Sequence, residues 1–457
     1  MESPSLCHRD IFVAEPRRTC IGSLVGSGGV DRLAGLRPLR HRRFATLWTA
    51  ALVSNVGTWM QTVAVGTLIT QRTGDAGQTG LVAAAGFLPV GLLSPVGGAL
   101  ADRVDRRRLL ILTTLGETFF AALLAVLYAT GHASTAGVDG CVFGGGCMAA
   151  LGFPCYQAML PDLVPTEDLL GAVSLSSAQF NLGRVIGPAL AGITIAAGSY
   201  SWAFGINAAS FGAVLLALAI IRVSSPMADV TTRLWTEIKR GARYARSEPG
   251  IRTAILLASV MSLTASPFIA LIPAIAVKVF HGDAGTTSVL VTGQGVGAVI
   301  GALAVAPLAE RYGRRRMVIL FLGALLPGAL VLYASSAALG LAAVAVALVG
   351  GTYISCLSGL NVVVQLRAPD ELRGRLVSLY FVAVGVLYPI GAVVQGRIAD
   401  AIGLRWVTGG AAVLLALTVL AARVVRPTAI GALDNVAGEG AAEHVPVPIG
   451  PEPGEPR

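Results

Sequence analysis

The sequence predicts an all-α integral membrane protein with about twelve transmembrane helices, arranged as two six-helix bundles related by a parallel pseudo-repeat. Hydrophobic residues make up 54% of the 457 residues and charged residues only 13%, whereas a soluble domain has roughly 45–50% and 25%. Uncharged apolar stretches of roughly 20 residues, the length that crosses a bilayer, recur along nearly the whole chain. A charged segment that follows the second stretch returns in the second half of the chain.

The apolar stretches divide the chain into five parts. We expect a disordered cytoplasmic arm at 1–36, a bundle at 37–222, a cytoplasmic linker at 223–250, a second bundle at 251–426 and a disordered cytoplasmic tail at 427–457. Each span should be a helix because lipid cannot hydrogen-bond the backbone. The spans are expected to begin near Phe44, Gln78, Arg107, Ser134, Leu170, Tyr200, Ile251, Gly285, Arg314, Ala337, Leu372 and Leu404.

Basic residues concentrate in alternate loops, and short basic loops favour the cytoplasmic side. This pattern predicts that both termini are cytoplasmic. The net charge of +9 is explained by basic loops that face an anionic leaflet, so no nucleic-acid partner is needed. The six cysteines and five histidines show no metal-ligand spacing, and no catalytic constellation or cofactor motif is present. We therefore expect no metal, no cofactor and no enzyme activity.

The charged segment establishes the internal repeat. "LADRVDRRR", 100–108, aligns with "LAERYGRRR", 308–316, and "VPTEDLLGAVSL", 164–175, resembles "APDELRGRLVSL", 368–379. The two bundles therefore have the same orientation. This architecture is typical of transporters whose substrate site lies between the bundles and whose access alternates by rocking.

From about Arg37 to Arg426 the chain resembles the major facilitator superfamily of transporters. The loop signature of that superfamily is present, although Asp105 stands where a glycine is usual. Within the superfamily, "NLGRVIGPALAG" and "FPCYQAMLPDLVP" resemble a bacterial subgroup of enterobactin-exporter-like and macrolide-efflux-like proteins. The signature residues are Gly98, Asp102, Arg103, Arg107 and Arg108.

The resemblance implies a gate at the cytoplasmic loops. When the halves close on that side, Asp102 should accept hydrogen bonds from the start of the eleventh helix and pair with its arginines. Glu310 should matter less, because its partner loop near Gly171 carries acids instead of arginines. The remaining residues of the predicted gate are Arg311, Arg373, Gly374 and Arg375.

A second motif matches the fifth-helix pattern that the superfamily associates with antiporters. Its small residues, spaced by four, form a flat stripe on which another helix can pack, and its proline bends the helix. Helix packing without a coupling role is an equally good interpretation. The motif consists of Gly183, Gly187, Pro188, Ala191 and Gly192.

Glu117 and Arg184 are the only charged residues well inside the spans, where a charge is costly and usually functional. Arg184 continues a polar helical face that should line a central cavity, and Glu117 is the candidate proton carrier. A structural ion pair is the alternative for both. The other predicted pathway residues are Asn55, Trp59, Ser177, Asn181, Asn361 and Gln365.

These observations predict a secondary transporter of the bacterial inner membrane, monomeric, that exports a small amphipathic molecule in exchange for protons. The cargo would be a drug, a siderophore or another natural product. One alternative is a facilitator or importer of a polar metabolite, and another is a scaffold that does not transport. The acids of the loops and the intramembrane charges argue against a scaffold, which would have no use for them.

Overall fold

The computed structural model describes residues 34–221, 234–369 and 371–434, which form helices and short connections without a β-strand. The N-terminal half begins with a 3₁₀ helix, Ala34–Arg40, followed by α1 Arg42–Thr73, α2 Ala76–Arg103, α3 Arg106–Ala129, α4 Thr135–Met159, α5 Leu169–Ala197 and α6 Tyr200–Ile220. The second half contains α7 Leu234–Ser247, α8 Pro249–Thr264, α9 Pro267–Lys278, α10 Ala284–Tyr312, α11 Arg314–Leu320, α12 Leu326–Ser335, α13 Leu339–Arg367, α14 Arg373–Ile402, α15 Leu404–Val425 and α16 Pro427–Gly431.

The predicted all-α membrane fold is confirmed. In the described part of the chain, 11 helical stretches are long and apolar enough to cross a membrane. The helix α1 is also long, with 32 residues, but is less apolar than these. Two spans are interrupted. The pair α8 and α9 forms one span, broken before Pro267, which cannot donate a backbone hydrogen bond. A π-helical turn, Phe321–Leu325, joins α11 and α12 into another.

The helices form two groups, α1–α6 and α8–α15, each with its own buried core. The large core of the second group is built mainly from α8, α9, α12 and α13, and it includes Ile251, Leu271 and Val349. Short side chains allow tight packing inside each group. Between the groups, α2 packs against α14 and α5 packs against α10.

The repeat extends to the helix caps. Asp75 accepts a hydrogen bond from the backbone N–H of Gln78 at 2.9 Å and caps the start of α2. Asp283 accepts one from Thr286 at 3.1 Å and caps the start of α10. These two acids occupy equivalent positions in the alignment of the charged loops, "DAGQTG" and "DAGTTS". The two helices that carry those loops therefore also begin in the same way.

The ends of the predicted parts lie partly outside the described residues, which exclude 1–33, 222–233 and 435–457. Residues 34–36 of the predicted arm begin the 3₁₀ helix, and α7 occupies half of the predicted linker. The first eight residues of the predicted tail are structured. Their order comes from Ile430 and Leu433, which are buried against the second bundle, and from Asp434, which accepts a hydrogen bond from the N–H of Arg315 at 2.9 Å.

Candidate functional site

The candidate site lies where the two halves meet. The end of the bundle that carries Arg103, Arg311 and Arg373 is called the basic end, and the end where α2 begins and α14 finishes is called the opposite end. The charge pattern predicts that the basic end is cytoplasmic. All positions below are given relative to these two ends.

Glycines allow α2 and α14 to touch along their backbones from the opposite end to the middle of the bundle. A Cβ atom added to Gly91 would lie 2.7 Å from the carbonyl carbon of Gly385. One added to Gly80 would overlap the carbonyl oxygen of Ala392. Gly91 is about 18 Å of helix away from the basic end. These contacts therefore hold the halves together over the half of the interface nearer the opposite end.

The pair α5 and α10 is joined over the same depth. A Cβ atom added to Gly192 would lie 2.9 Å from the hydroxyl oxygen of Ser288, and one added to Gly295 would lie 3.1 Å from the carbonyl oxygen of Arg184. Arg184 therefore marks the level at which the close packing between the halves ends.

The Arg184 side chain is only 7% exposed, yet it forms no ion pair with another described residue, and its Nε atom has no hydrogen-bond partner. Its guanidinium carbon lies 5.4 Å from the ring centroid of Trp59 on α1. Tyr353 on α13 and Tyr388 on α14 lie near it in the other half. A buried charge that lacks a counter-charge is costly unless a ligand supplies one. The arrangement suits an anionic or carbonyl-bearing ligand.

Aromatic rings surround this arginine. Trp59 packs edge-on against Phe180, with the ring centroids 5.8 Å apart. Across the interface, Phe87 of α2 packs edge-on against Tyr388 at 5.4 Å. On the second half, the hydroxyl of Ser266 donates a hydrogen bond of 3.0 Å to the Tyr353 hydroxyl. The arginine therefore lies among rings from both halves.

Of these aromatic residues, the sequence argument identified only Trp59 as part of the site. Phe180 could have been found, because it precedes Arg184 by one helical turn on the same face of α5. Tyr353 and Tyr388 gave no such signal. Their direction depends on how α13 and α14 are rotated in the second bundle, and that rotation cannot be read from an apolar span.

The polar residues predicted from the first half lie near Arg184. Ser177 is exposed one turn towards the basic end from Asn181, whose side-chain amide donates to the Ser177 carbonyl at 2.9 Å. Asn55 of α1 packs against Gly183, where an added Cβ atom would meet the Asn55 Cβ at 2.8 Å. With Trp59, these residues form one surface of α1 and α5.

The polar residues predicted from the second half lie closer to the basic end. The side chains of Asn361 and Gln365 hydrogen-bond to each other on α13. Asn361 lies about two helical turns beyond Tyr353 and Gln365 about three. Asn361 is buried, whereas Gln365 is exposed. The structure therefore places these two between the level of Tyr353 and the basic end.

Glu117 is placed elsewhere. It lies on the face of α3 that contains the buried residues Thr114 and Ala121, and α3 packs mainly against α4 and α6 of its own half. It forms no hydrogen bond or ion pair with another described residue. Because α6 and α1 stand between α3 and α5 in the packing order, the structure does not bring Glu117 and Arg184 together.

The small residues of the α5 motif serve two different contacts. Gly183 and Gly187 face α1, where a Cβ atom at Gly187 would lie 2.6 Å from the carbonyl oxygen of Val56. Gly192 faces α10 of the other half. Pro188 and Ala191 are buried between these contacts. The stripe therefore packs α5 both within its own half and across the interface.

The first copy of the charged loop forms a regular helix start without the usual glycine. Asp105 has a φ of −57°, and its carboxylate accepts a hydrogen bond from the N–H of Arg108 at 2.8 Å. In the second copy, Gly313 occupies the aligned position with a φ of +78°, where glycine is favoured. Aspartate thus replaces the turn glycine by capping α3.

The gating residues of this loop take different positions. The Nε atom of Arg107 donates to the carbonyl oxygen of Leu218 at 2.7 Å and ties α3 to α6. Gly98 has open space around it, and Asp102, Arg103 and Arg108 are exposed. Asp102 has no hydrogen-bond or ion-pair partner among the described residues, so the predicted contact with the start of α14 is not formed in this state.

The remaining predicted gating residues also lie at the basic end. Glu310 and Arg311 are exposed, and the guanidinium of Arg311 lies over the ring of Tyr312. Arg373 donates to the Gln365 carbonyl oxygen at 3.2 Å. Gly374 has open space around it. Arg375 packs against Gly241 of α7, so the linker helix lies beside the start of α14.

Comparison with known proteins gives consistent results. Residues 33–449 match the family described as transmembrane secretion effectors. The chain is 27% identical to the multidrug efflux pump Tap of Mycolicibacterium fortuitum, over 78% of this chain and 89% of that protein. It is 29% identical to the enterobactin exporter EntS of Escherichia coli, over 74% of this chain and 81% of that protein. The crystal structure of a bacterial homologue of the lysosomal transporter Spinster covers 87% of this chain and 97% of its own, with 14% identity and a TM-score of 0.66.

Proposed function

Because the chain belongs to the transmembrane secretion effector family of the major facilitator superfamily, and is a membrane transporter and not an enzyme, we propose that it exports a small amphipathic molecule by alternating access, in exchange for protons. The observation that carries this proposal is the buried, unpaired Arg184 beside Trp59 at the junction of the halves. Relatives named for multidrug efflux and for enterobactin export support a small-molecule cargo.

The chemistry around Arg184 favours cargo with an aromatic part and an anionic or carbonyl group. The guanidinium provides five N–H donors that suit a carboxylate or a similar oxygen pair. The surrounding rings offer apolar area and edge-on contacts to an aromatic group. A cationic drug would instead place a second positive charge beside Arg184, in a buried site where repulsion is strong.

Alternating access is supported by the contrast between the two ends of the interface. The halves are in backbone contact from the opposite end to the level of Arg184, while the gating residues Asp102 and Gly374 at the basic end do not meet. We assign this state as open to the cytoplasm, with both termini on that side of the bacterial inner membrane. Ser177, Asn181, Asn361 and Gln365 would then line the entry route.

Proton exchange rests on Glu117. It is an intramembrane carboxyl group without a described partner, but it lies inside the first bundle and away from Arg184. A proton on Glu117 would therefore act on the packing of α3 within the first bundle and not directly on the cargo. Arg184 and Glu117 are assigned different tasks, cargo binding and proton binding.

Reconstituted protein tests both tasks in one assay, which measures efflux of anionic, neutral and cationic aromatic compounds from proteoliposomes with and without a pH gradient. We expect Arg184→Gln to slow transport of the anionic compounds about 10- to 100-fold, the value of one or two charge-assisted hydrogen bonds, and Arg184→Lys to slow it less. Arg43→Gln removes an exposed arginine of α1 and is the control. Glu117→Gln should abolish the response to the pH gradient.

Three results would contradict this proposal. Equal losses for anionic and cationic compounds in Arg184→Gln would remove the arginine from cargo recognition. Transport that ignores the pH gradient in the unmodified protein would exclude proton exchange and favour a facilitator. Net uptake from the face opposite the termini would favour an importer.

A further inference from the structure

A cavity of about 570 Å³ lies at the basic end of the second half, between α11, α15 and the short helix α16. Three arginines line it, Arg315 and Arg316 from the start of α11 and Arg423 from the last turn of α15. Ile319 and Leu320, about one helical turn further along α11, line its inner part. The cavity thus has guanidinium groups towards the end of the bundle and apolar side chains towards its middle.

One acid is paired with these arginines among the described residues. Asp434 accepts a hydrogen bond from the backbone N–H of Arg315 at 2.9 Å, and its carboxylate lies 3.5 Å from the Nε atom of the same residue. The side chains of Arg316 and Arg423 are exposed and form no hydrogen bond or ion pair with another described residue. Three arginines and one acid leave an excess of positive charge, which an anion would neutralise.

The first half uses the equivalent arginine differently. Arg107, which aligns with Arg315, donates from its Nε atom to the carbonyl oxygen of Leu218 at 2.7 Å and ties α3 to α6. In the second half, Asp434 pairs with the Nε atom of Arg315 instead. The cavity therefore lies between the helices that correspond to α3 and α6, at the level where the first half has a direct contact.

Packing fixes the shape of the cavity. A Cβ atom added to Gly323 would lie 3.1 Å from the Cγ1 atom of Val419, so α15 meets the π-helical turn just beyond the inner part of the cavity. The extra residue of that turn rotates α11 by about 100° relative to an uninterrupted helix. Ile430 is buried against the second bundle and holds α16 beside the arginines. The walls are therefore set by the fold of the second half.

The surface beside the cavity is apolar. Leu320 is 53% exposed, and Val424 and Val425, which follow Arg423, are 71% and 74% exposed. In a bilayer such side chains on a spanning helix are covered by acyl chains. A molecule that reaches the arginines from this side therefore needs both an anionic group and an apolar chain.

We propose that the cavity binds an anionic phospholipid of the leaflet at the basic end, with its phosphate on Arg316 and Arg423 and an acyl chain along Ile319 and Leu320. Guanidinium groups bind phosphate oxygens in pairs, and basic pockets between transmembrane helices suit anionic headgroups. The phospholipid joins α11 to α15, as Arg107 joins α3 to α6.

The end of the chain offers a competing anion. Residues 435–457 follow Asp434 directly and include four acids. A phospholipid fits the cavity better, because Ile319 and Leu320 match an acyl chain and offer no partner to a carboxylate. The four acids are Glu439, Glu443, Glu452 and Glu455.

The test measures lipid binding to the purified full-length protein, without cargo and without a pH gradient. Native mass spectrometry counts the bound lipids as phosphatidylglycerol, which is anionic, or phosphatidylethanolamine, which is zwitterionic, is added to delipidated protein. We expect phosphatidylglycerol to bind more tightly. Arg316→Gln and Arg423→Gln should each weaken its first binding step about fivefold, and Arg423→Lys should weaken it less because the charge is kept.

Control variants separate this cavity from general surface charge. The double variant Arg42→Gln/Arg43→Gln removes two exposed arginines at the same end of α1 and should leave the affinity for phosphatidylglycerol unchanged. Arg252→Gln removes an arginine from a second cavity that is also lined by α16 and should weaken binding less than Arg423→Gln. Thermal unfolding without lipid should be the same in all variants, because the substituted side chains are exposed.

Four results would overturn the proposal. Equal binding of the two phospholipids, or an equal loss in the Arg42→Gln/Arg43→Gln variant, would leave no specific anionic site. Displacement of phosphatidylglycerol by inorganic phosphate would assign the arginines to a soluble anion. Binding that appears only when the four glutamates of 435–457 are replaced by glutamine would assign the cavity to the end of the chain. None of these outcomes depends on whether export is observed.

Discussion

The two helix pairs that join the halves, α2 with α14 and α5 with α10, are related by the internal repeat but differ in how they are held. The first pair has an acid near the end of each helix, Asp102 in α2 and Asp400 in α14, and Asp400 accepts hydrogen bonds from the start of α2. The second pair has Glu310 near the end of α10, while α5 finishes with "TIAA" and carries no acid at all. Charge can therefore act at both ends of the first pair and at one end of the second.

The starts of the partner helices differ as well. Gly374, at the start of α14, has open space around it, whereas Gly171, at the start of α5, is covered by Pro38 of the 3₁₀ helix. Asp168, which precedes α5, is bound to His41 at 2.7 Å. The repeat has therefore kept the packing of both pairs, while the start of α5 is covered and Gly374 at the start of α14 is not.

The largest expected effect comes from breaking the close approach of the first pair. A Cβ atom at Gly80 would overlap the Ala392 carbonyl oxygen, and a backbone atom cannot move aside as a flexible side chain can. Gly80→Ala should therefore disfavour the closed opposite end at least tenfold, although alanine by itself favours helix by about 1 kcal/mol. Distances between nitroxide labels placed on the two halves at the opposite end provide the measurement.

Gly212→Ala is the matched control, because Gly212 lies in α6 with open space around it. Retention of the closed distances in Gly80→Ala would mean that the two helices have room to separate without opening. It would also show that the close contacts at the glycines are not required for closure of the opposite end.

The sequence predicted much of this framework but little of the first pair's chemistry. Twelve apolar stretches and the repeated loop predicted the spans, and Arg184 was identified as a charge inside a span that continues the polar face of Ser177 and Asn181. Asp400 was missed because it lies near the end of an apolar span and has no motif, and its role depends on α2 of the other half. Asp105 stands where the loop signature has a glycine, and it caps α3 instead. A residue that caps the helix can therefore replace the glycine at this position.

The next largest effect concerns Asp102, the acid near the end of α2. Asp102→Asn removes the charge that would cap α14 once the basic end closes, a contact of about 0.3–2 kcal/mol. We expect the state open at the basic end to become a few times more populated and transport to slow accordingly. Labelling of a cysteine placed at Ser177, in a background without native cysteines, measures that opening.

Asp102→Asn should change the populations of the two conformations and not the stability of the fold, because Asp102 has no partner among the described residues that the substitution could remove. Thermal unfolding should therefore be unchanged. Unaltered cysteine labelling in Asp102→Asn would leave the loop with the role of a topology signal only, since its bases alone are enough to set orientation.

The smallest effect is expected from Glu310→Gln, which applies the same change to the second pair. When the basic end closes, Glu310 would approach the start of α5, but Pro38 covers Gly171 there and Asp168 adds a negative charge. Glu310 should therefore gain little from closure, and Glu310→Gln should change the labelling of the Ser177 position less than Asp102→Asn does. A substitution that uncovers the site sharpens the comparison: with Pro38→Gly in the background, the contribution of Glu310 should rise, since the N–H groups of α5 become accessible. Equal effects of Glu310→Gln and Asp102→Asn in the unmodified background would show that an acid caps the partner helix in both pairs when the basic end closes. They would also show that Pro38 moves away from Gly171 during closure.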